Sequence, residues 1–263
     1  MKNLLASIAF AATAAAKLVT LSPPNSTGTD IAIVWIQGAM CDNEAYTEIA
    51  ETVQAQGATK GQRIWVGIPS FVSGSPDPVT IVGKVSDTVD ALRQLGFQGD
   101  NIVMAGHSLG GVMSQGYTKT HGDTIKAQVL MGSVLTRDNR SIASDGHTVF
   151  DYDVPTLSIT GSKDGLMRMS RAAESFWHSN INVTKAQANK YPTVAFEGVS
   201  HAQFMSGRPP LNVRDKDLVP DVSAQEAYDL TATAFTQFLD QVILGHAPSI
   251  DTKASQQVLD GML

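Results

Sequence analysis

Short apolar runs alternate along the chain with longer stretches of helical spacing. The run 31–36 is continuously apolar, which is typical of a strand covered on both faces. Similar runs predict further strands at 63–68, 101–105, 127–132, 155–160 and 191–196. The stretches with helical periodicity predict helices at 42–56, 79–95, 108–120, 166–178 and 224–244. This alternation favours an α/β fold in which crossover helices connect the strands of a parallel sheet.

Three stretches lack a clear period. Residues 133–153 are a polar excursion too short to build a core of its own, so a solvated loop is favoured over a lid. Residues 202–223 are irregular and read equally well as a pocket wall or a surface flap. The tail after residue 244 is expected to be loosely held, and 18–21 is a possible edge strand.

The third buried run, 101–105, leads directly into Gly106-His107-Ser108-Leu109-Gly110, and a helix-compatible segment follows. A serine between a strand and a helix sits on a strained turn that exposes its hydroxyl, and the flanking glycines let chain and helix pass closely. The pentapeptide also occurs by chance in glycine-rich chains, but the strand before it and the helix after it favour a nucleophile. Ser108 is therefore the candidate nucleophile, with the Leu109 N–H pointing into the same space.

Two further residues follow late strands and could complete this chemistry. Asp164 comes after the run 155–160, where it could orient a histidine, although an Asp-Gly after a strand is more often a simple turn. Asp138, after the preceding strand, is the alternative acid. His201 follows the last strand, and the order Ser, Asp, His matches a known triad arrangement. The other histidines lack this position at the end of a strand.

Composition and charge limit the classes of partner. The chain has 263 residues, 43% hydrophobic and 17% charged, with a formal net charge of −6. This acidic balance argues against nucleic acid or an anionic membrane as partner. Cys41 is the only cysteine, so an intramolecular disulfide is impossible. Metal-ligand spacings, P-loops and dinucleotide fingerprints are absent from the sequence, and no cofactor is expected.

Residues 1–16 have the pattern of a secretory signal peptide. Lys2 precedes an apolar run, and Ala14-Ala15-Ala16 matches a small-residue cleavage site. A buried N-terminal helix is the alternative, and the segment is too short to span a bilayer. We expect a mature domain of residues 17–263 that is secreted or within the secretory pathway and has no integral membrane segment. Asparagines in three weak glycosylation sequons agree with this: Asn25, Asn139 and Asn182.

The motifs around Ser108, Asp164 and His201 make the chain similar to the α/β-hydrolase family from about residue 31 to residue 239. The resemblance implies a mainly parallel sheet of six or seven strands with helices on both faces and no separate cap domain. It also implies that Ser108, His201 and Asp164 form a catalytic triad. The pentapeptide around Ser108 and the lack of a cap domain resemble those of lipases and of cutinase-like or chlorophyllase-like esterases.

The same resemblance implies an oxyanion hole. Its donors would be the N–H groups of Leu109 and of Ala39, in the loop after the first buried strand, with Met40 as the fallback. Gln37-Gly38 replaces the His-Gly of many members, and a plain strand-to-helix turn is the alternative reading of this loop. Pocket-wall candidates are Met40, Phe204 and Met205.

The implied reaction is hydrolysis of a small-molecule or lipid-like carboxylic ester through an acyl-enzyme. Two alternatives remain open at this point. One is an acyltransferase that uses the same triad with an alcohol other than water. The other is a receptor or binding protein that keeps the hydrolase scaffold without its chemistry.

Overall fold

The computed structural model describes residues 17–180 and 183–261. The predicted signal peptide, 1–16, and the sequon residue Asn182 lie outside the described residues. Within the described ranges the strands are β1 Val19–Leu21, β2 Thr29–Ile36, β3 Gln62–Ile68, β4 Ile102–His107, β5 Ile125–Met131, β6 Arg140–Ile142, β7 Thr148–Phe150, β8 Thr156–Gly161 and β9 Thr193–Phe196. The helices are α1 Thr47–Ala58, α2 Ile81–Leu95, α3 Leu109–Thr120, α4 Met169–Asn180, α5 Lys185–Lys190, α6 Leu211–Arg214, α7 Ala224–Val242 and α8 Lys253–Asp260.

Seven of these strands form one sheet in the order β1-β3-β2-β4-β5-β8-β9. All neighbours run parallel except β1, which pairs antiparallel with β3 at the edge. The predicted six or seven strands of a mainly parallel sheet are confirmed. The carboxyl ends of β2, β4, β5, β8 and β9 consequently lie along one edge, where the loops that carry chemistry are found.

Helices cover both faces of the sheet, and the alternation of side chains along β2 shows how. Ile31, Ile33 and Trp35 belong to a core shared with α1 and α7, and Trp35 stacks on Phe235 with ring centroids 5.9 Å apart. The intervening Val34 and Ile36 join a second core with residues of α2. Because successive strand residues point to opposite faces, a run apolar at every position is what a sheet with two covered faces requires.

Two segments are more ordered than the sequence predicted. The excursion 133–153 contains the β6-β7 hairpin, and Leu135 and Tyr152 within it are buried in the second core. The Glu174 carboxylate on α4 pairs with Arg137 and Arg140 at 2.8 and 2.9 Å. These ion pairs attach the start of the hairpin to α4. The expectation of a plain solvated loop was therefore wrong, because widely spaced apolar residues anchor a segment that shows no period.

The tail is also held against the body of the protein. Leu259 of α8 is fully buried, and the Ser255 hydroxyl accepts the backbone N–H of Ala195 at 2.9 Å. The expectation of a loosely held tail was wrong for this part. Asn139, one of the sequon residues, is only 5% exposed, and its amide donates to Gln115 at 2.7 Å, so the folded chain does not present it for glycosylation. Among the described helices, none combines the length and apolar character needed to cross a bilayer.

Candidate active site

The three residues expected to carry the chemistry follow three parallel strands at the same edge of the sheet. Ser108 comes directly after β4, Asp164 lies three residues after β8, and His201 lies five residues after β9. β4 is separated from β8 by β5, and β8 pairs with β9. The topology thus collects side chains from distant parts of the chain into one neighbourhood.

Ser108 occupies the sharp turn that the motif predicts. Its φ of 51° and ψ of −121° are strained for a residue with a side chain, and α3 begins at the next residue. The turn is held by the Ser108 N–H, which donates to the Met131 carbonyl at 2.9 Å. A Cβ on Gly106 would lie 2.6 Å from the Gly111 nitrogen, which explains why the motif needs glycine there. The serine side chain remains partly exposed at the start of α3.

Asp164 and His201 form a buried pair. The Asp164 Oδ2 and His201 Nδ1 atoms lie 2.8 Å apart, and the side chains are 0% and 1% exposed. The other oxygen, Oδ1, accepts the N–H groups of Leu166 and Met167 at 2.9 and 2.7 Å, which turns Oδ2 towards the imidazole. Asp164, and not the alternative Asp138, is therefore the carboxylate partner of His201.

The far nitrogen of this imidazole, His201 Nε2, is buried and has no hydrogen-bond partner among the described residues. The hydrogen bond between Ser108 and His201 is therefore not formed in this structure. Catalytic hydrogen bonds of this kind commonly tighten only when substrate is present. His201 thus holds its carboxylate partner with one nitrogen and keeps the other available.

Gly132, the residue after β5, is where the three sequence-predicted residues approach one another. A Cβ added to it would lie 2.9 Å from His201 Nδ1 and 3.2 Å from Asp164 Oδ2. Its φ of 51° also favours glycine. The preceding residue, Met131, accepts the Ser108 N–H. The Asp164–His201 pair thus packs directly on the backbone that holds the serine turn.

In the loop after β2, the N–H groups on either side of Ala39 are both engaged. The Gly38 N–H donates to the Tyr46 hydroxyl at 2.7 Å, and the Met40 N–H donates to Ser75 Oγ at 3.0 Å. Between them, the Ala39 N–H has no acceptor within the described part of the chain, and the same holds for the Leu109 N–H at the start of α3. Because Met40 is already engaged, Ala39 is the better of the two candidate donors from this loop.

His107 and Tyr46 pack against this loop, and the sequence did not identify either of them as a residue of the site. The Tyr46 oxygen and His107 Nδ1 are 2.8 Å apart. The hydroxyl accepts the Gly38 N–H and also bonds Nδ1, so Tyr46 links the loop after β2 to the His107 imidazole. The His107 ring lies 4.6 Å, between centroids, from the His201 ring. β4 is buried on both faces, so His107 at its end lies away from solvent.

Burial dominates the titration of this pair. It lowers the pKa of His107 well below its ordinary value, and the neighbouring His201 lowers it further. It raises the pKa of Tyr46 well above the usual value for a phenol. Both side chains consequently stay neutral around pH 7.

The structure separates the three expected pocket residues. Met40, in the loop after β2, is 55% exposed. Phe204 is 0% exposed and packs against the His107 ring, with ring centroids 5.9 Å apart. Phe204 therefore supports the site from inside and offers no wall to a substrate. Met205 contacts the buried, free Cys41 thiol at 3.6 Å between sulfur atoms. It also lines a cleft of about 410 Å³ between the His201 loop and α7, but Ser108 does not line that cleft.

The described residues hold no cluster of three or more histidine, cysteine or acidic side chains suited to bind a metal ion. The polar groups gathered here are a serine hydroxyl, an imidazole paired with a carboxylate, and backbone N–H groups. Such a set can activate a hydroxyl and bind a developing oxyanion.

The model of the alpha/beta hydrolase family matches residues 32–208, which include the serine turn, Asp164 and His201. This chain belongs to that family. No sequence among curated proteins matches this hydrolase.

Solved structures similar to this hydrolase include a protein called Est1E and a membrane phospholipase A. Est1E from Butyrivibrio proteoclasticus, solved with ferulic acid bound, has 15% identity and a TM-score of 0.54, over 87% of this chain and 95% of that one. A membrane phospholipase A, described as a bacterial virulence factor, has 14% identity and a TM-score of 0.50, over 86% of this chain and 83% of that one. At such identities the likeness establishes the shared fold.

Proposed function

We propose that this hydrolase cleaves carboxylic esters through an acyl-enzyme formed on Ser108. The observation that carries the proposal is the buried 2.8 Å pair of Asp164 and His201, which packs across Gly132 onto the backbone of the serine turn. The unpartnered Nε2 of His201 supports a role as general base. A carboxylate at Nδ1 keeps the tautomer in which Nε2 accepts a proton.

In the first half of the reaction the Ser108 oxygen attacks the ester carbonyl and its proton passes to His201 Nε2. The tetrahedral adduct then collapses, the bond to the alkoxy oxygen breaks, and the leaving alcohol takes that proton. In the second half His201 removes a proton from water, which attacks the acyl-serine. Collapse of this second adduct releases the carboxylic acid and returns the proton to Ser108. Asp164 stabilises the imidazolium in both halves.

The N–H groups of Ala39 and Leu109 are proposed as the donors to the oxyanion. Each lacks an acceptor among the described residues. Leu109 directly follows Ser108, and Gly38, the residue before Ala39, packs closely on the His107 ring. Leu109 also begins α3, so the positive end of the helix dipole favours negative charge there. Each such donor contributes about 3 kcal/mol to stabilisation of the transition state in comparable enzymes.

The test combines turnover with covalent labelling. Wild type and Ser108→Ala are assayed on p-nitrophenyl esters of increasing acyl length beside a bulky terpenoid or polymer ester, and both are exposed to a fluorophosphonate. We expect the wild type to hydrolyse esters and to be labelled at Ser108. The variant should lose both properties and keep its circular dichroism spectrum. Turnover retained by Ser108→Ala, or a wild type that neither reacts nor turns over, would reject the proposal.

A competing alcohol in the same assay distinguishes hydrolysis from acyl transfer. If water is the acceptor, the free acid remains the main product when the alcohol is added. A predominant new ester would instead identify an acyltransferase that uses the same residues. The acyl-length series reports the size of the substrate, which we propose to be a small-molecule or lipid-like ester.

We also propose that residues 1–16 are an export signal, on their sequence pattern alone. N-terminal sequencing of the protein recovered outside an expressing cell should then begin at Lys17. A secreted product that retains residues 1–16 would contradict this.

A further inference from the structure

Asp217 lies in the segment 211–221, part of the irregular stretch 202–223 for which the sequence left a pocket wall and a surface flap equally open. Its carboxylate accepts four backbone N–H groups. Oδ1 accepts those of Gly165, His201 and Leu218 at 3.1, 3.0 and 3.2 Å, and Oδ2 accepts that of Ala202 at 2.8 Å. Hydrogen bonds from N–H groups to an ionised carboxylate are stronger than those to a neutral acceptor.

The donors belong to both loops of the buried pair. Gly165 is the residue after Asp164, so its N–H belongs to the peptide unit that follows the acid. His201 is the base itself. Asp217 therefore joins the backbone of the two residues whose side chains must meet at 2.8 Å.

The segment 211–221 packs too closely on these loops to be an independent flap. A Cβ on Gly165 would lie 1.8 Å from the Lys216 carbonyl oxygen, so only glycine allows this approach. The Leu218 N–H donates to the Lys163 carbonyl at 3.2 Å, and the Asp221 N–H donates to the Gly198 carbonyl at 2.9 Å. Asp217 sits between these contacts, over the junction of the acid loop and the histidine loop.

We propose that Asp217 is a positioning residue that holds Asp164 and His201 in register. Its effect on catalysis rests on the proposed esterase function, whereas its effect on the geometry of the pair does not. The hydrogen bonds of the Asp217 carboxylate all come from backbone N–H groups. It acts through the backbone, by fixing the backbone positions from which the Asp164 and His201 side chains extend.

The chemistry of the carboxylate makes a graded test possible. Asparagine retains one oxygen, which still accepts from Gly165 and His201, but its amide group faces the Ala202 N–H as a second donor. Alanine removes every acceptor. The expected order of activity is therefore wild type, then Asp217→Asn, then Asp217→Ala. A matched control is Asp215→Ala, because Asp215 is an exposed acidic residue of the same segment whose carboxylate bonds no described residue.

The first readout is the far-downfield NMR resonance of a proton shared between a histidine Nδ1 and a carboxylate. It is assigned to His201 by its loss in Asp164→Asn, and it is independent of turnover. The second is the steady-state kinetics on the best p-nitrophenyl ester. We expect Asp217→Ala to lose or broaden the resonance and to lower kcat about 100-fold, since a small misplacement of a catalytic group costs this much. For Asp217→Asn we expect a kcat about 10-fold lower, with KM within about twofold in both variants.

A sharp resonance together with kcat equal to that of Asp215→Ala would overturn the proposal and leave Asp217 a cap of the turn that follows His201. If Asp217→Ala does not fold, the same two readouts on Asp217→Asn decide the matter. If the wild type hydrolyses no ester, the proposed function fails, but loss of the resonance in the Asp217 variants still supports the positioning role and its persistence still overturns it.

Discussion

The two sides of the candidate site are held together by different kinds of hydrogen bond. On the acid side, carboxylates accept backbone N–H groups, with Asp164 and Asp217 as the acceptors and His201 as the group they orient. On the side proposed to bind the oxyanion, the hydrogen bonds involve neutral side chains. The Tyr46 hydroxyl accepts the Gly38 N–H and also bonds His107. We call these the charged side and the neutral side.

The difference follows from what each side is proposed to do. The charged side must stabilise an imidazolium, so a buried carboxylate is suited to it. The neutral side must present bare N–H groups to a developing anion, and a negative charge there would oppose the reaction. Burial keeps Tyr46 and His107 neutral by moving the pKa of each away from 7.

The largest effect is expected from breaking the charged side. Asp164→Asn keeps the size of the side chain but presents an amide to His201 Nδ1, which stabilises the wrong tautomer. We expect kcat on a p-nitrophenyl ester to fall about 10⁴-fold. Thermal unfolding serves as the control and should show a folded protein. A kcat within tenfold of wild type would mean that the pair at 2.8 Å has no catalytic role.

Breaking the neutral side should cost less. Tyr46→Phe leaves the Gly38 N–H and His107 Nδ1 without partners, which lowers the free energy of unfolding by about 1–3 kcal/mol. The loosened loop should lower kcat on the order of 10-fold, since only one oxyanion donor is displaced. Tyr152→Phe is the matched control, because it removes an equally buried hydroxyl, bonded to Gln128, away from this loop. If both variants lose kcat equally, general destabilisation is the cause.

The pH dependence of stability sharpens the comparison further. The pKa of His107 is lowered in the folded state, so the unfolded chain binds a proton first as the pH falls. The contribution of His107 is therefore complete above about pH 6.5 and is lost below it, at up to about 1.4 kcal/mol per pH unit. His107→Asn retains an acceptor for Tyr46 without titrating. Urea unfolding at several pH values between 7.5 and 5 should show a shallower decline for this variant, and an unchanged slope would contradict the assignment.

The smallest effect is expected at Glu174, which belongs to neither the charged side nor the neutral side. Hydrogen bonds from Arg137, with those from Arg140, lower the pKa of Glu174 to about 2. Its contribution to stability is present above pH 4.5, the ordinary value, and is lost as the pH falls towards 2. Because these groups are partly exposed, Glu174→Gln should reduce the free energy of unfolding at pH 7 by only about 1 kcal/mol. Urea unfolding measures this, and kcat should not change; a fall in kcat would tie the β6-β7 hairpin to the reaction.

Much of the fold was predictable from the sequence, because each buried strand is a continuous apolar run and each crossover helix has apolar residues at helical spacing. The predicted runs at 31–36 and 63–68 correspond to β2 Thr29–Ile36 and β3 Gln62–Ile68. The hairpin and α8 were missed because they are anchored by a few separate contacts, such as the bond of Ser255 to Ala195, that leave no period in the sequence.

The sequence also identified Ser108, Asp164 and His201, since each lies in the loop that follows a strand-like run, and the structure brings Asp164 and His201 into contact. It did not identify Tyr46, whose position in a helix-compatible stretch looks like ordinary core. It did not identify Asp217 either, because a charged run of four residues reads as solvated surface. Both act through contacts with residues far away in the chain, and only the folded backbone brings those residues together.

Local physics thus determined the serine turn and the order of strands and helices, because strain, glycine spacing and periodicity are properties of neighbouring residues. The tertiary structure alone decided which carboxylate pairs with His201, which N–H groups are left without acceptors, and which buried side chains stay neutral. These depend on where distant backbone donors end in three dimensions, since a donor or a charge is satisfied by proximity in space and not by position in the chain.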